Sequence, residues 1–402
     1  MTRLLVLTTT YPRWRGDTEP AFVHNLNKEL TAAHGVHVLA PACRGSDSEE
    51  VMDNVHIHRF PYLPFGLGTL AYDGGIVPKL KANPLLGWQV PFLFAAMLVA
   101  SVRITRRYSI SVIHAHWVIP QGLIAIVTRK LCPSRPSLLV TSHGADLYSL
   151  NGGPLKTLKR WVFTNSHEAT VVSRAMARHC RDQLNLNRRI AVEPMGIDCQ
   201  SVFIDRTPWD QRRGIVFVGR LVEKKGVDLL LRAYATLALD RNTWPLTIVG
   251  EGPEAKTLKS LTAELGIENH ITFKGAVNAH EVSNLLNQSK ICVMPSRIAR
   301  DGDQEGLGLV AGEAISSGCI TIVSNLDAIQ DVHNSPTLQF EADDFESLRD
   351  RLDFVCHNEA EAREVSADLK RDVVARFDWQ AVGARYRNLI AQIITDGNST
   401  SG

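Results

Sequence analysis

The 402-residue sequence has no C-x-x-C pair and no cysteine/histidine spacing of a zinc site, and its seven cysteines, an odd number, are scattered from Cys43 to Cys356. A disulfide framework or a structural zinc is therefore not expected, and a reducing cytoplasm suits these thiols. Also missing are a G-x-x-x-x-G-K-[ST] loop, a G-x-S-x-G elbow and an H-E-x-x-H helix. Kinase, serine-hydrolase and metalloprotease readings lose their support with them. Net charge is only +2 and no recognition motif for nucleic acid appears, so nucleic acid is not an expected partner. Long apolar runs are scarce too. The first, Arg3-Leu4-Leu5-Val6-Leu7-Thr8, is too short for a signal-peptide core and reads as a buried strand. The second, Ala82 to Val102, has no charged residue, but Asn83, Gly87, Gln89 and Pro91 interrupt it. It predicts a buried helix first, a membrane-touching surface second and a bilayer span last.

What is present is the material of a folded α/β chain: 45% hydrophobic and 21% charged residues, at a length that suggests two to three domains. Short apolar runs alternate with helix-length patterns such as Phe22–Ala33 and Leu123–Lys130, the arrangement of parallel sheets with crossover helices. Strands are predicted at Arg3–Thr9, Val36–Pro41, Val55–Phe60, Val112–His114, Leu138–Ser142, Ala169–Ser173 and Ile190–Pro194. After a loose stretch around Cys199–Arg213 the pattern restarts at Ile215–Gly219 and continues through Leu246–Val249, Ile271–Phe273, Ile291–Met294 and Ile320–Val323. This divides the chain into a first domain, 1–205, and a second, 206–377. Residues 1–200 carry 22 basic and 13 acidic side chains, the remainder 22 and 29, so the two halves have opposite charge.

Several constellations could carry chemistry at strand ends. Glu305 and Glu313 bracket a glycine-rich segment, Gly306-Leu307-Gly308-Leu309, that looks like a helix start. Free amides of Leu307 to Leu309 would suit a diphosphate, and on one helix the two carboxylates would stand roughly 12 Å apart. They are either partners for sugar and ribose hydroxyls or two solvated helix carboxylates. Arg220 and Lys225 follow the strand Ile215–Val218 and are either a cation pair for a leaving diphosphate or a solvated basic loop. Gly250, in Val249-Gly250-Glu251-Gly252-Pro253, permits close backbone approach. In the first half His143 follows a strand in Ser142-His143-Gly144-Ala145-Asp146, and His116-Trp117 follows another. His114 and His116 share a strand face without an identifiable third ligand, so acceptor contact or packing is expected rather than metal. Gly16 lies in the loop after the first strand. Asp301-Gly302-Asp303 imitates a metal-holding D-x-D, but Arg297, Arg300 and Glu305 make it a charged loop, and no metal is expected there.

Taken together these segments resemble the family-4 glycosyltransferases of GT-B architecture over nearly the whole length. The resemblance rests on Thr10-Tyr11-Pro12-Arg13-Trp14 with Phe22-Val23-His24, Val36 to Pro41, His114-Ala115-His116-Trp117, Ser142-His143-Gly144 and Met195-Gly196-Ile197-Asp198. It continues in the same order through Gly219-Arg220 with Lys225-Gly226, Gly250-Glu251-Gly252-Pro253 and the Glu305/Glu313 pair. It implies an α/β fold of two facing Rossmann-like doubly wound domains with a deep interdomain cleft, and a last helix, 378–396, that packs back on the first domain. It further implies a UDP- or GDP-sugar donor, transfer with retention of configuration and no essential metal. By the same likeness Arg220 and Lys225 hold the diphosphate, Glu313 the ribose and Glu305 the transferred sugar. His143 contacts that sugar from the other domain, Gly16, Leu307 and Gly308 lend amides, and backbone around Val277 meets the base. The family commonly has proline where this chain has Gly308.

The acceptor implied is a hydroxyl of a glycan, a lipid-linked or a small molecule, in cell-surface or exopolysaccharide synthesis, with His116 and Trp117 on the acceptor side. A basic first half beside Trp88, Phe92, Phe94 and Trp161 suits either solvated helix faces or peripheral contact with the inner face of a membrane. A sugar-nucleotide 2-epimerase and a non-catalytic nucleotide-sugar-binding subunit are the alternative functions.

Overall fold

The structure, a computed structural model, describes residues 2–17, 19–72, 75–149 and 152–399. The chain forms two compact units, one of residues 1–172, 176–195 and 382–402, the other of residues 173–175 and 196–381. The strands of the first unit are β1 (Arg3–Leu7), β2 (Gly35–Pro41), β3 (Glu49–Met52), β4 (Val55–Phe60), β5 (Val112–His116), β6 (Ser137–Ser142), β7 (Glu168–Val171) and β8 (Ala191–Val192). Those of the second are β9 (Ile215–Val218), β10 (Leu246–Val249), β11 (Ile271–Gly275), β12 (Ile291–Met294), β13 (Ile320–Ser324) and β14 (Gln339–Phe340).

Among the described residues the first sheet runs β3-β4-β2-β1-β5-β6-β7-β8 and the second β11-β10-β9-β12-β13-β14. Every pairing is parallel except β3 with β4. Parallel strands covered on both faces must be apolar throughout, and Leu4 to Leu7 and Ile215 to Val218 are buried accordingly. In each sheet the strand order reverses beside the first strand: β1 lies between β2 and β5, and β9 between β10 and β12. Loops at the carboxyl ends of strands flanking such a reversal are where open α/β sheets bind ligands. Those loops carry Gly16 and His116 in the first unit and Arg220, Lys225 and Glu305 in the second.

Two strands are unexpected and two local expectations are corrected. β3 and β14 have no apolar run of their own; Glu49-Glu50-Val51-Met52 is a charged edge strand held by pairing with β4. The Ile190–Pro194 run contributes only the two residues of β8. The apolar stretch after Ala82 is not a buried helix: helix Val90–Arg107 buries Leu93, Met97, Ser101, Ile104 and Thr105, while Phe92 and Val99 stay more than half exposed. Eighteen residues wound at 3.6 per turn spread apolar side chains around the axis, and the neighbouring elements cover only one side.

The final helix, Trp379–Ser399, starts in the second unit and belongs to the first from Val382 onward. There Tyr386 is fully buried beside the His114 ring and its hydroxyl donates to the Glu193 carbonyl at 3.2 Å, while Arg385 pairs with the Glu193 carboxylate at 2.9 Å.

Candidate functional site

In the second unit, β9 ends at Val218 and the chain turns through Gly219 to an exposed Arg220 and a short turn, Glu223–Lys225. Gly250 supports this turn from beside it. With φ at +131°, it lies so near the Gly219 carbonyl that a Cβ there would stand 1.9 Å from the oxygen. Any other residue would push the end of β10 off the end of β9. Gly250 also donates its N–H to the Gly275 carbonyl at 2.8 Å, bringing alongside the loop that holds half-buried Val277.

A second loop, after β12, is strapped to the same turn. Arg297 donates its backbone N–H to the Lys224 carbonyl (2.8 Å) and its Nε–H to the Glu223 carbonyl (3.0 Å), and its guanidinium pairs with Asp228 at 2.7 Å. Lys224 closes the strap by donating to Asp303 Oδ1 (3.1 Å) and the Gln304 carbonyl (3.2 Å). The consequence is one step further along each loop: the Lys225 ammonium forms an ion pair with the Glu305 carboxylate. Glu305 is only 8% exposed. Burial pushes its carboxyl up, but Lys225 and then Lys224 outweigh burial and hold it below the ordinary value, so it is ionised at neutral pH.

Beyond Glu305 the chain passes buried Leu307 to Gly308 and enters helix Leu309–Ser316. Gly308 caps it with φ +80°, a left-handed value closed to proline, whose ring fixes φ near about −65°. Two sequence expectations change here. Glu305 and Glu313 do not share a helix, because the left-handed Gly308 separates them; Glu305 lies on the strapped loop and Glu313 in the helix. The helix's own amides without an intrahelical acceptor are those of Leu309, as expected, and of Val310, since Ala311 already bonds the Gly308 carbonyl at 3.0 Å; Leu307 and Gly308 precede the helix. Burial raises the Glu313 carboxyl to about 7, against the pull of Lys225. Asp301 and Asp303 are engaged in their own loop: Asp301 Oδ1 accepts the Asp303 N–H at 3.0 Å and Asp303 faces Lys224.

The first unit gathers His116, Trp117 and His143. β5 and β6 run side by side with His116 opposite Thr141, which places His143 next to His116. The two imidazoles stack at 5.1 Å, 6° apart in plane, and share a hydrogen bond from Nδ1 of His116 to Nε2 of His143 of 2.9 Å. Trp117 (5.0 Å) and Phe22 (4.9 Å) pack on the His143 ring. Burial, with the neighbouring His114, lowers His143 to about 3, so the ring is neutral and one nitrogen of the pair donates to the other. Asp146 ties the two strand ends together. Its carboxylate accepts from the Val118 N–H (2.7 Å), the Ser142 hydroxyl (2.9 Å) and the His143 N–H (3.2 Å). Gly16 stands apart on an exposed turn, φ +78°, where a Cβ would meet no atom within 4 Å; the turn is closed by Arg13 and Asp17.

The sequence reading therefore finds Arg220, Lys225, Glu305, Leu307, Gly308, Gly250 and Val277 on neighbouring loops of one unit with Glu313 in the helix that follows one of them, and His116, Trp117 and His143 in one cluster of the other. It misses Lys224, Arg297, Phe22 and Asp146. Asp146 was visible three residues after His143, but its partner Val118 comes from a different loop.

Two family models match: one described as "Glycosyltransferase Family 4" over residues 21–201 and one described as "Glycosyl transferases group 1" over residues 203–371. Among curated relatives, the chain is 23% identical to the GDP-mannose-dependent alpha-(1-6)-phosphatidylinositol monomannoside mannosyltransferase of Mycobacterium tuberculosis, covering 97% of this chain and 98% of that one. It is also 23% identical to the N-acetyl-alpha-D-glucosaminyl L-malate synthase of Bacillus anthracis, over 83% and 88%. Among solved structures, sucrose-phosphate synthase from Thermosynechococcus elongatus matches with a TM-score of 0.78 at 18% identity, covering 98% of this chain and 100% of that one. Anabaena HepE, solved with UDP and glucose, matches with a TM-score of 0.73 at 14% identity, covering 98% and 100%.

Proposed function

We propose a specific reaction for this chain, which belongs to the family-4 glycosyltransferases, has the GT-B fold and is an enzyme acting on nucleotide sugars: transfer of a sugar from a UDP- or GDP-sugar to an acceptor hydroxyl with retention of anomeric configuration. The observation that carries this reading is the Lys225–Glu305 pair, held by the Arg297 strap beside the free amides of helix Leu309–Ser316. A cation, a helix start and a buried, ionised carboxylate on adjoining loops are the groups a nucleoside diphosphate sugar needs.

In this reading Arg220, Lys225 and the amides at Leu309 and Val310 bind the diphosphate and take up the charge that grows on it as the glycosidic bond breaks. Glu305 accepts hydrogen bonds from hydroxyls of the transferred sugar, Glu313 from the ribose, and backbone around Val277 meets the base. His143, neutral, donates to the sugar through the nitrogen that His116 does not occupy. The acceptor oxygen bonds to the anomeric carbon as the bond to the diphosphate oxygen breaks, and the acceptor proton passes to the departing phosphate. Positioning and charge stabilisation then supply the acceleration, with no metal required. Gly16 lends an amide to phosphate, and His116 and Trp117 stand on the acceptor side. The acceptor class is a glycan or lipid-linked hydroxyl in cell-surface polysaccharide synthesis; the monomannoside mannosyltransferase named above acts, by its name, on a lipid-linked sugar.

The test is product analysis by proton NMR with UDP- and GDP-sugars and a panel of glycan and lipid-linked acceptors, with and without EDTA. Acceptor-dependent release of nucleotide, an axial anomeric linkage from an axial donor and indifference to EDTA support the proposal. Donor conversion without acceptor would favour an epimerase, and binding without turnover a non-catalytic subunit; either would overturn it.

A further inference from the structure

The 72 residues between Asp73 and Asp146 contain eight lysines and arginines and not one aspartate or glutamate. Within that stretch one continuous helical segment, Pro84–Arg107, is long and apolar enough to cross a membrane, yet only 22% of its most apolar window is buried. Its exposed side chains fall in a row. Trp88, Phe92 and Val99 are 53%, 51% and 69% exposed, Ala95 between them is exposed, and Leu85 before them is 81% exposed. Steps of four, three and four residues keep 88, 92, 95 and 99 on one side of a helix. The opposite side is committed to the unit: Leu93, Met97 and Ile104 are buried, and the Ser101 hydroxyl is hydrogen-bonded to Thr128 at 2.5 Å. This inverts an ordinary surface helix, which turns polar side chains to water.

Where the apolar row ends, cations begin. Arg103, Arg106 and Arg107 are exposed on the last turns, and Arg106 donates to the carbonyl of Leu131, itself 50% exposed, at 2.7 Å. Apolar side chains reaching about 17 Å along one helix side, aromatics at one end, three arginines at the other and no aspartate or glutamate within the segment itself match a surface that is both apolar and anionic. A second copy of this chain is a poor occupant, since a two-fold contact through the row would bring like charges together with no acidic side chain in the segment to offset them. Crossing the bilayer is ruled out for the folded unit by the packed side of the helix.

We propose that the Pro84–Arg107 segment lies in the plane of a bilayer that carries anionic headgroups. Leu85, Trp88, Phe92 and Val99 enter the acyl boundary, and Arg103 and Arg107 meet lipid phosphates. The surface is separate from the residues placed in donor and acceptor binding, so it stands whether or not the proposed transfer reaction does.

The test is co-sedimentation of the full-length protein with phosphatidylcholine vesicles, with and without about one-third phosphatidylglycerol, without any sugar substrate. The wild type should pellet with the anionic vesicles and lose that binding as salt rises. Phe92→Asp and the double variant Arg103→Glu/Arg107→Glu should each weaken binding roughly tenfold or more. Unchanged melting temperature in the double variant, whose side chains face water, shows that the loss is not unfolding. A wild type that stays soluble with anionic vesicles, equal pelleting of wild type and double variant, or a dimer in solution that Phe92→Asp dissociates would each overturn the proposal.

Discussion

Lys225 and Glu305 pair across two loops eighty residues apart in the chain, and they meet because Arg297 straps those loops together and Lys224 binds the Gln304 carbonyl one position before each of them. A buried carboxylate kept ionised chiefly by the Lys225 ammonium, with Lys224 behind it, is an acceptor of hydrogen bonds whose strength depends on Lys225. Removing the ammonium should therefore change Glu305 itself as well as the diphosphate contact.

Lys225→Met should lower kcat/KM by two orders of magnitude or more, in the range of losing one charge-stabilising donor. It should also introduce a new ionisation in the pH profile of kcat, because Glu305 loses the larger of the two charges that hold its carboxyl down and keeps only Lys224 against burial. A profile unchanged in shape would show that the pair does not set the state of Glu305.

Glu313, raised to about 7 by burial, is an even mixture of acid and carboxylate near neutrality. The carboxylate is the better acceptor for ribose hydroxyls and dominates above that value, so donor KM should rise as pH falls from about 8 to about 6. Glu313→Gln should remove this dependence and leave a uniformly higher KM. Steady-state kinetics across that pH range check it; a dependence that survives in Glu313→Gln would assign it elsewhere.

The first unit should be acid-labile. Burial lowers His37 to about 4 and His114 and His143 to about 3, against an ordinary 6.5. Between about 4 and 6.5 the unfolded chain binds protons that the folded chain refuses, so stability increases with pH across that window and is lost as pH falls through it. Each such histidine contributes a slope of about 1.4 kcal/mol per pH unit there. Urea unfolding at pH 7 and pH 5 should show a clear fall in midpoint, and equal midpoints would contradict it.

Asp146→Ala should cost about 1–3 kcal/mol of stability, because the Val118 N–H, the Ser142 hydroxyl and the His143 N–H lose their shared acceptor together. Asp146→Asn should restore part of this, its amide oxygen accepting from one side. Melting temperatures of the two variants measure the difference, and equal effects would mean that the acceptor geometry is not what matters.

Most of the sheet architecture was legible because strands such as β1 and β9 are continuous apolar runs of Leu, Val, Ile and Phe, which buried parallel strands need. β3, with two glutamates in four residues, exists through pairing with β4 and leaves no such trace. The site was legible residue by residue but not as a geometry. Lys225 and Glu305 stood out, yet the strap that joins them depends on Arg297, which looks in the sequence like any arginine in a charged loop. The Gly308 turn defeated the helical spacing because one left-handed residue resets the periodicity. The apolar stretch after Ala82 hid its exposed side because composition does not say which face a neighbour covers.

The most direct measurement is turnover of UDP- and GDP-sugars by the wild type and Glu305→Gln side by side, with melting temperature recorded for both. The account predicts acceptor-dependent nucleotide release by the wild type, a loss of two orders of magnitude or more in the variant and no loss of melting temperature, since glutamine fills the same space. A Glu305→Gln enzyme that transfers sugar at the wild-type rate would contradict it.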